Sequence, residues 1–383
     1  MAALPYRRLA GFYFFYFAWV GAFAPFFTLY LQSVGIGASE IGVLMALPAL
    51  ARIFAPYLWG WLADTGVGHA RLVRVTAAAS LVCYLGVFAG HSFTWLFAVL
   101  LLASFFWTAA LPLVEATTLA HVGENPGRYG PVRMWGSLGF MAAVIGVGHA
   151  LDWIAVDNLL WIIAVLLAGT LVYSWRIPEA AMETHTTDAL SIWHILKRPE
   201  VTALIAACAL MAVAHGPYYT FYSIHLVEHG YSKSLTGCLW ALGVICEIAI
   251  FLWMSRLYSA FTPRQILIAS FALAALRFLI IGWGVDSLVL LLLAQSLHAA
   301  SFGSFHAAAI GVVHQHFRGR HQARGQVIYG SLTFGVGGVL GPLASGYLWD
   351  HAGAALTFSA GSACALIGML LIVWKLTPGP RNP

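Results

Sequence analysis

Charge is what this chain lacks. Only 9% of its 383 residues are Asp, Glu, Lys or Arg, while 61% are hydrophobic. A soluble domain carries roughly a quarter charged and about half apolar residues, so a water-soluble globule is excluded and lipid is the solvent the composition fits. Cysteine is scarce as well. Cys83, Cys208, Cys238, Cys246 and Cys364 lie in apolar runs without C-x-x-C spacing, which supports neither a zinc site nor a disulfide framework. No G-x-x-x-x-G-K-[ST] stretch occurs, so a built-in ATP motor is not expected. The one histidine cluster, "HQHFRGRH" from His314 to His321, has no Cys or carboxylate companions; it reads as a solvated basic loop rather than a metal or enzymatic centre. Rings of like residues that would line a passive channel are also missing. No cleavable signal peptide is expected, because the first apolar run is long enough to span.

What is present is a series of long apolar runs, rich in Trp, Tyr and Phe as interfacial belts require. A span needs about 20 apolar residues, and twelve runs qualify: near 9–32, 40–63, 71–90, 94–121, 132–151, 157–176, 201–228, 234–258, 264–284, 287–315, 325–349 and 353–375. They are too long and too uniformly apolar for a barrel, and bundled helices satisfy the backbone inside the bilayer. The expected fold class is therefore all-α, with twelve transmembrane helices in two pseudo-symmetric six-helix halves. The net charge of +5 is scattered over short loops, which suits membrane topology better than nucleic-acid binding. Arg7, Arg8, Arg71, Arg74, Arg128, Arg176, Lys197, Arg198, Arg256, Arg264, Arg318, Arg320, Arg324 and Lys375 fall on one side. The positive-inside rule then puts both termini in the cytoplasm. A polar loop divides the chain into residues 1–176, a cytoplasmic linker at 177–199, and residues 200–383.

An internal echo supports the division. "MWGSLGF" (Met134–Phe140) opens the fifth span and "IYGSLTF" (Ile328–Phe334) opens the eleventh; the two spans end in Asp152 and Asp350. At equivalent places in two six-span halves this reads as duplication, as in two-half secondary transporters.

Ionisable residues at bilayer depth are costly and are functional candidates by default. Arg52 lies in the second span, Glu115 in the fourth, Arg133 at the start of the fifth, Glu247 in the eighth and Arg277 in the ninth; His215, His298 and His306 join them. Glu115 and Arg133 fall in one half, Glu247 and Arg277 in the other. Such groups are easiest to hold if they pair or face a shared wet cavity. Each also has a plainer reading. Arg133 can snorkel to the interface, Glu115 can tether the fourth span to Arg133, Arg52 can be a packing partner, and one of His298 and His306 can cap a neighbouring group. Gly60 and Asp64 end the second span, where the aspartate could hold the next helix start through its positive dipole end as a breakable gating latch.

The stretches "YFFYFAWVGAFAPFFTLYLQ", "GWLAD", "PLVEA…GRYGPVRMWGSLGF", "LHAASFG" and "SGYLWDHAG" resemble the major facilitator superfamily. More narrowly they resemble its lactose permease and phenylpropionate permease branch of proton symporters, and "HGPYYTFYSIHL" with "LWALGVICEI" is most similar to the phenylpropionate side. The resemblance implies a carboxylate–arginine substrate pair at Glu115 and Arg133. It also implies a stacking position at Phe140, a binding carboxylate at Glu247, a coupling arginine at Arg277 and a histidine at His298. Three positions depart from the lactose permease pattern: Ser301 stands where a proton-accepting carboxylate is found, Gln295 where a lysine is found, and Phe140 where a tryptophan is found.

The expected function is proton-coupled uptake of a small organic solute, best fitted by an aromatic carboxylate such as a phenylpropionate-like acid. Arg52, Arg133 and Arg277 against Glu115 and Glu247 leave a slight positive excess. Trp19, Phe23, Phe26, Tyr218, Tyr219, Phe221 and Phe305 offer aromatic lining for a flat body. Substrate binding is assigned to Glu115, Arg133, Phe140, Glu247, His298, Tyr218 and Arg52. Proton coupling is assigned to Glu247 first, with His298 as relay, Arg277 as partner and Glu115 as runner-up. No cofactor is expected beyond the proton gradient, and a monomer in a bacterial inner membrane is the expected setting. A sugar, nucleoside or siderophore-like substrate and a drug efflux antiporter are the alternatives.

Overall fold

The computed structural model describes residues 4–123, 125–179 and 192–377, the side chains of Pro56, Asp64, Pro126, Arg320 and Ala323 excepted. Residues 180–191, most of the expected linker, lie outside the described residues. Two compact units form: Met1–Thr187 with Ser232–Cys238, and Asp188–Tyr231 with Leu239–Pro383.

The first unit is built on six long helices: α1 (Tyr6–Ser33), α2 (Ala38–Asp64), α3 (His69–Leu85), α4 (Phe93–Val122), α5 (Tyr129–Leu151) and α6 (Leu159–Ser174). The second begins with a single turn, α7 (Trp193–Leu196), and continues through α8 (Pro199–Ala214), α9 (Gly216–Glu228), α10 (Lys233–Ala260), α11 (Pro263–Trp283), α12 (Leu288–Ser296), α13 (Phe305–His316), α14 (Gln322–Gly330) and α15 (Gly338–Lys375). α8 and α9 form one span, whose helices part at His215–Gly216–Pro217 because Pro217 has no amide to continue the ladder. α12 and α13 are joined by a π-helical turn at Ala299–Ser304, and α14 and α15 by another at Ser331–Gly337.

Eleven helical stretches among the described residues are long and apolar enough to cross a membrane. The last, Arg324–Lys375, has 52 residues, more than twice what one crossing needs. Gly353 breaks it, with φ of +78° and ψ of 176°, a backbone geometry that only glycine adopts without strain. One stretch therefore supplies both of the last two expected spans. Exposed tryptophans (Trp153, Trp161, Trp175, Trp283 and Trp374) stand at or near helix ends, where an amphipathic ring suits the bilayer boundary.

Bare glycine faces set the closest helix contacts. A Cβ on Gly139 of α5 would stand 2.1 Å from the backbone oxygen of Phe14 in α1, and one on Gly21 of α1 would stand 2.5 Å from that of Phe140 in α5. In the second unit a Cβ on Gly216 would meet the Gly341 backbone at 2.4 Å. In lipid, where apolar surface gains nothing by leaving its solvent, such backbone-to-backbone packing is what holds helices together.

Gly139→Ala is expected to lower stability by about 1–3 kcal/mol, the cost of overpacking. Gly146→Ala, where an added Cβ meets nothing within 4 Å, is expected to leave it unchanged or slightly raised. Thermal unfolding of the two variants in one detergent, followed by tryptophan fluorescence, checks the contrast; equal midpoints would refute the packing argument.

Candidate functional site

In the first unit, α4 and α5 bring together the two ionisable residues placed in them. Arg133 Nε lies 3.7 Å from Glu115 Oε1, with side chains 32% and 37% exposed. The contact is loose at 3.7 Å and neither side chain is buried. The Arg133 guanidinium packs 4.1 Å over the Phe17 ring and 5.6 Å over that of Tyr13, an arrangement that keeps a cation on aromatic faces. Gly136, one turn along from Arg133, leaves room for it: a Cβ there would sit 2.6 Å from Arg133 Nη1. Tyr129 lies within electrostatic reach of both Glu115 and Arg133. Arg52 stands exposed on α2; its charge, with those of Glu115 and Arg133, lies within electrostatic reach of the Tyr16 hydroxyl. Tyr16 stacks on Trp107 at 4.4 Å and 8°, Trp107 meets Trp19 at 4.1 Å, and Trp19 stacks on Phe23 at 4.7 Å. A wall of rings thus lies beside the pair.

The second unit arranges its charges differently. Glu247 of α10 approaches His298 at 3.8 Å between Oε2 and Nε2, with only 20% and 6% exposure. Arg277 of α11 is fully buried. Its Nε donates to the Ala294 carbonyl at 3.0 Å, its Nη1 donates to Ser301 Oγ at 3.3 Å, and its face lies 4.1 Å from the Tyr218 ring. All of these partners are neutral, and Arg277 Nη2 has no hydrogen-bond partner among the described residues. Tyr218 donates to Gln295 Oε1 at 3.1 Å. Gln295 Nε2, His298 Nδ1 and His215 Nε2 are likewise buried without partners. The π-helical turn begins directly after His298 and carries Ser301. Such wide turns are frequent at functional sites, and this one joins His298, which meets Glu247, to Ser301, which meets Arg277.

The assigned residues thus resolve into Glu115 with Arg133 in one unit, and Glu247, His298, Arg277 and Tyr218 in the other. The Phe140 backbone packs on Gly21. His306 stacks on Phe302 at 5.9 Å and lies 3.3 Å from the Tyr329 hydroxyl. Of the residues expected to line a binding surface, Phe221 is buried and stacks on Trp349 at 4.5 Å, and Phe305 is buried edge-on to Phe271 at 5.6 Å. Gly60 borders open space, and the Asp64 side chain lies outside the described residues. Among the described side chains, Glu179 meets the start of α3, its Oε2 accepting from the Ala70 amide at 3.2 Å.

Tyr129 was not singled out from sequence. Its signal was the four-residue spacing to Arg133, which puts both on one helix face. Gln295, His298 and Ser301 carry a comparable signal in their three-residue steps. Glu179 had none, since its partner lies 109 residues away.

Ser301→Ala would leave a second guanidinium nitrogen of Arg277 unpaired in a fully buried setting. A loss of about 1–3 kcal/mol is expected, read as a lowered thermal midpoint; Ser296→Ala, which removes only a local bond to Leu292, should change little.

The fold has counterparts among known proteins. The model of the MFS_1 like family matches residues 6–360. A probable 3-phenylpropionic acid transporter of Escherichia coli (strain K12) is 29% identical over 354 residues, covering 91% of this chain and 92% of that protein. Maltose permease of Geobacillus stearothermophilus is 27% identical, covering 94% and 92%. The crystal structure of nucleoside transporter NupG (D323A mutant) superposes with a TM-score of 0.87 at 17% identity, over 97% of this chain and 99% of that one. The chain belongs to the MFS_1 like family: it is a multi-pass membrane transporter of small solutes, not an enzyme.

Proposed function

We propose that the protein is a proton-coupled uptake symporter for a small aromatic carboxylate of the phenylpropionate type. In this reading it works as a monomer in a bacterial inner membrane, with both termini in the cytoplasm and the proton gradient as its only energy source. One observation carries the substrate class: Arg277 is a fully buried cation resting on an aromatic ring, with one guanidinium nitrogen unpartnered. A buried charge without a counter-ion is expensive, and a carboxylate attached to a flat apolar body would supply both the missing charge and a ring to stack. The identity to a probable 3-phenylpropionic acid transporter supports the same class. Arg133 on Phe17, with Glu115, Arg52 and Phe140, is the second binding element, whose solvated ion pair can yield to substrate.

Coupling is assigned to Glu247, with His298 as relay, Arg277 as partner and Glu115 as an alternative carrier. A carboxylate that trades one partner for another changes its proton affinity, and the 3.8 Å approach of Glu247 to His298 is close enough to be one of two such states. Histidine adds a group whose ordinary pKa, near 6.5, allows proton relay.

Uptake by proteoliposomes of a panel of aromatic acids, disaccharides and nucleosides, with and without an imposed pH gradient, tests the reading. Gradient-driven accumulation of the aromatic acids alone is expected. Accumulation of sugars or nucleosides instead, or gradient-independent equilibration, would overturn it. Glu247→Gln should retain substrate exchange and lose uphill uptake; a variant that still concentrates substrate would remove Glu247 from the proton path.

A further inference from the structure

Inside the first unit, α1, α3, α4 and α6 line a small cavity. Trp19 of α1, Ser80 and Tyr84 of α3, and Ser104 and Trp107 of α4 stand in its wall, which apolar side chains complete. Every residue of that wall is buried. The space open to the centre of a water molecule is about 10 Å³. One water needs roughly 10–15 Å³ on this measure, together with two to four polar partners. The cavity therefore has room for one water and for nothing larger.

The polar groups of the wall are out of balance. Trp19 Nε1 and Trp107 Nε1 are both buried without a hydrogen-bond partner among the described residues. An indole nitrogen is a donor only, so each needs an acceptor. The rings are also clamped: Trp107 is stacked on Tyr16 at 4.4 Å and meets Trp19 at 4.1 Å, while Trp19 stacks on Phe23 at 4.7 Å. Turning either indole towards another acceptor would break these contacts. The hydroxyls of the wall are in the opposite position. Ser80 donates to the Ala103 carbonyl at 3.2 Å and Tyr84 to the Leu160 carbonyl at 3.2 Å, which uses up their hydrogens but leaves oxygen lone pairs free. Two donors lack acceptors, and neighbouring oxygens can still accept. A molecule that accepts twice and donates twice answers both needs, and water is the one that fits the space.

We propose that this cavity is a binding site for one ordered water, which accepts from the indole N–H groups of Trp19 and Trp107 and donates to the hydroxyl oxygens of the wall. Ions fit the site poorly. A cation would face two N–H donors, and an anion would be a buried charge with no counter-ion, which is costly, because the wall holds no charged side chain. The water fixes the edges of the two indoles whose faces carry Tyr16 and Phe23. It thus positions the aromatic wall beside the Glu115–Arg133 pair without touching that pair. The inference concerns the first unit alone and holds whichever solute or ion the protein carries.

Pulsed X-ray footprinting of the full chain in lipid nanodiscs reads the site directly, since a hydroxyl radical made from a bound water oxidises the side chains next to it. Trp19 and Trp107 are expected to be oxidised several-fold more than Phe12, which is fully buried and outside the cavity wall, after correction for the intrinsic reactivity of each ring. Oxidation of both tryptophans no greater than that of Phe12 would overturn the proposal. Ser104→Val puts a methyl group into the cavity. Filling a dry void stabilises a protein, whereas displacing a bonded water strands two buried donors. The variant is therefore expected to unfold at a lower temperature and to lose the oxidation of Trp19 and Trp107. A raised thermal midpoint, or oxidation that persists in a folded variant, would count against a water in this cavity. If the variant fails to fold, the footprint of the native chain decides.

Discussion

Lipid offers no hydrogen bonds, and this constraint governs every part of the molecule. A polar group at bilayer depth must find its partner within the protein. Backbone groups are satisfied by helices, and helices in turn can be held together only by close packing and by specific polar contacts. The bare faces of Gly139 and Gly216, set against backbone atoms at 2.1 and 2.4 Å from where a Cβ would lie, are the packing answer. The few ionisable side chains are the polar one, and because they are so few, each has an identifiable partner or an identifiable lack of one.

The two units meet the constraint in different ways. The first leaves its charges accessible: Glu115 and Arg133 each stay about a third exposed, at 37% and 32%, and aromatic faces do part of the solvation. The second encloses its cation. Arg277 is fully buried and satisfied in part by a carbonyl, a serine hydroxyl and a tyrosine ring. A π-helical turn at Ala299–Ser304 carries Ser301, which serves Arg277, and follows directly on His298, which serves Glu247. No such turn interrupts α5, although its opening motif echoes that of the eleventh span, which has a π-helical turn at Ser331–Gly337. The two units thus hold their polar groups differently: one as a partly exposed pair, the other as a cluster around an unsatisfied donor.

Carboxylates outside the spans do another kind of work. Glu179 accepts from the start of α3 and Asp152 from the start of α10. Both answer the same unsatisfied helix amides, and each links segments far apart in the chain.

Sequence by itself determined the solvent, the helical class, the span boundaries to within a few residues, and the short roster of charged candidates. These are properties of composition and of apolar run length, which act locally and need no knowledge of neighbours. Even the break at Gly353 was legible as a gap between two runs. The tertiary structure alone decided which candidate meets which. It brought Tyr129 near Glu115 and Arg133, gave Ser301 and Tyr218 to Arg277, set Phe221 against Trp349 and Phe305 against Phe271, and put Glu179 at the α3 start. These pairings depend on helix rotation and on wide turns of the backbone, and a helix that is apolar all round carries almost no signal of which face looks inward.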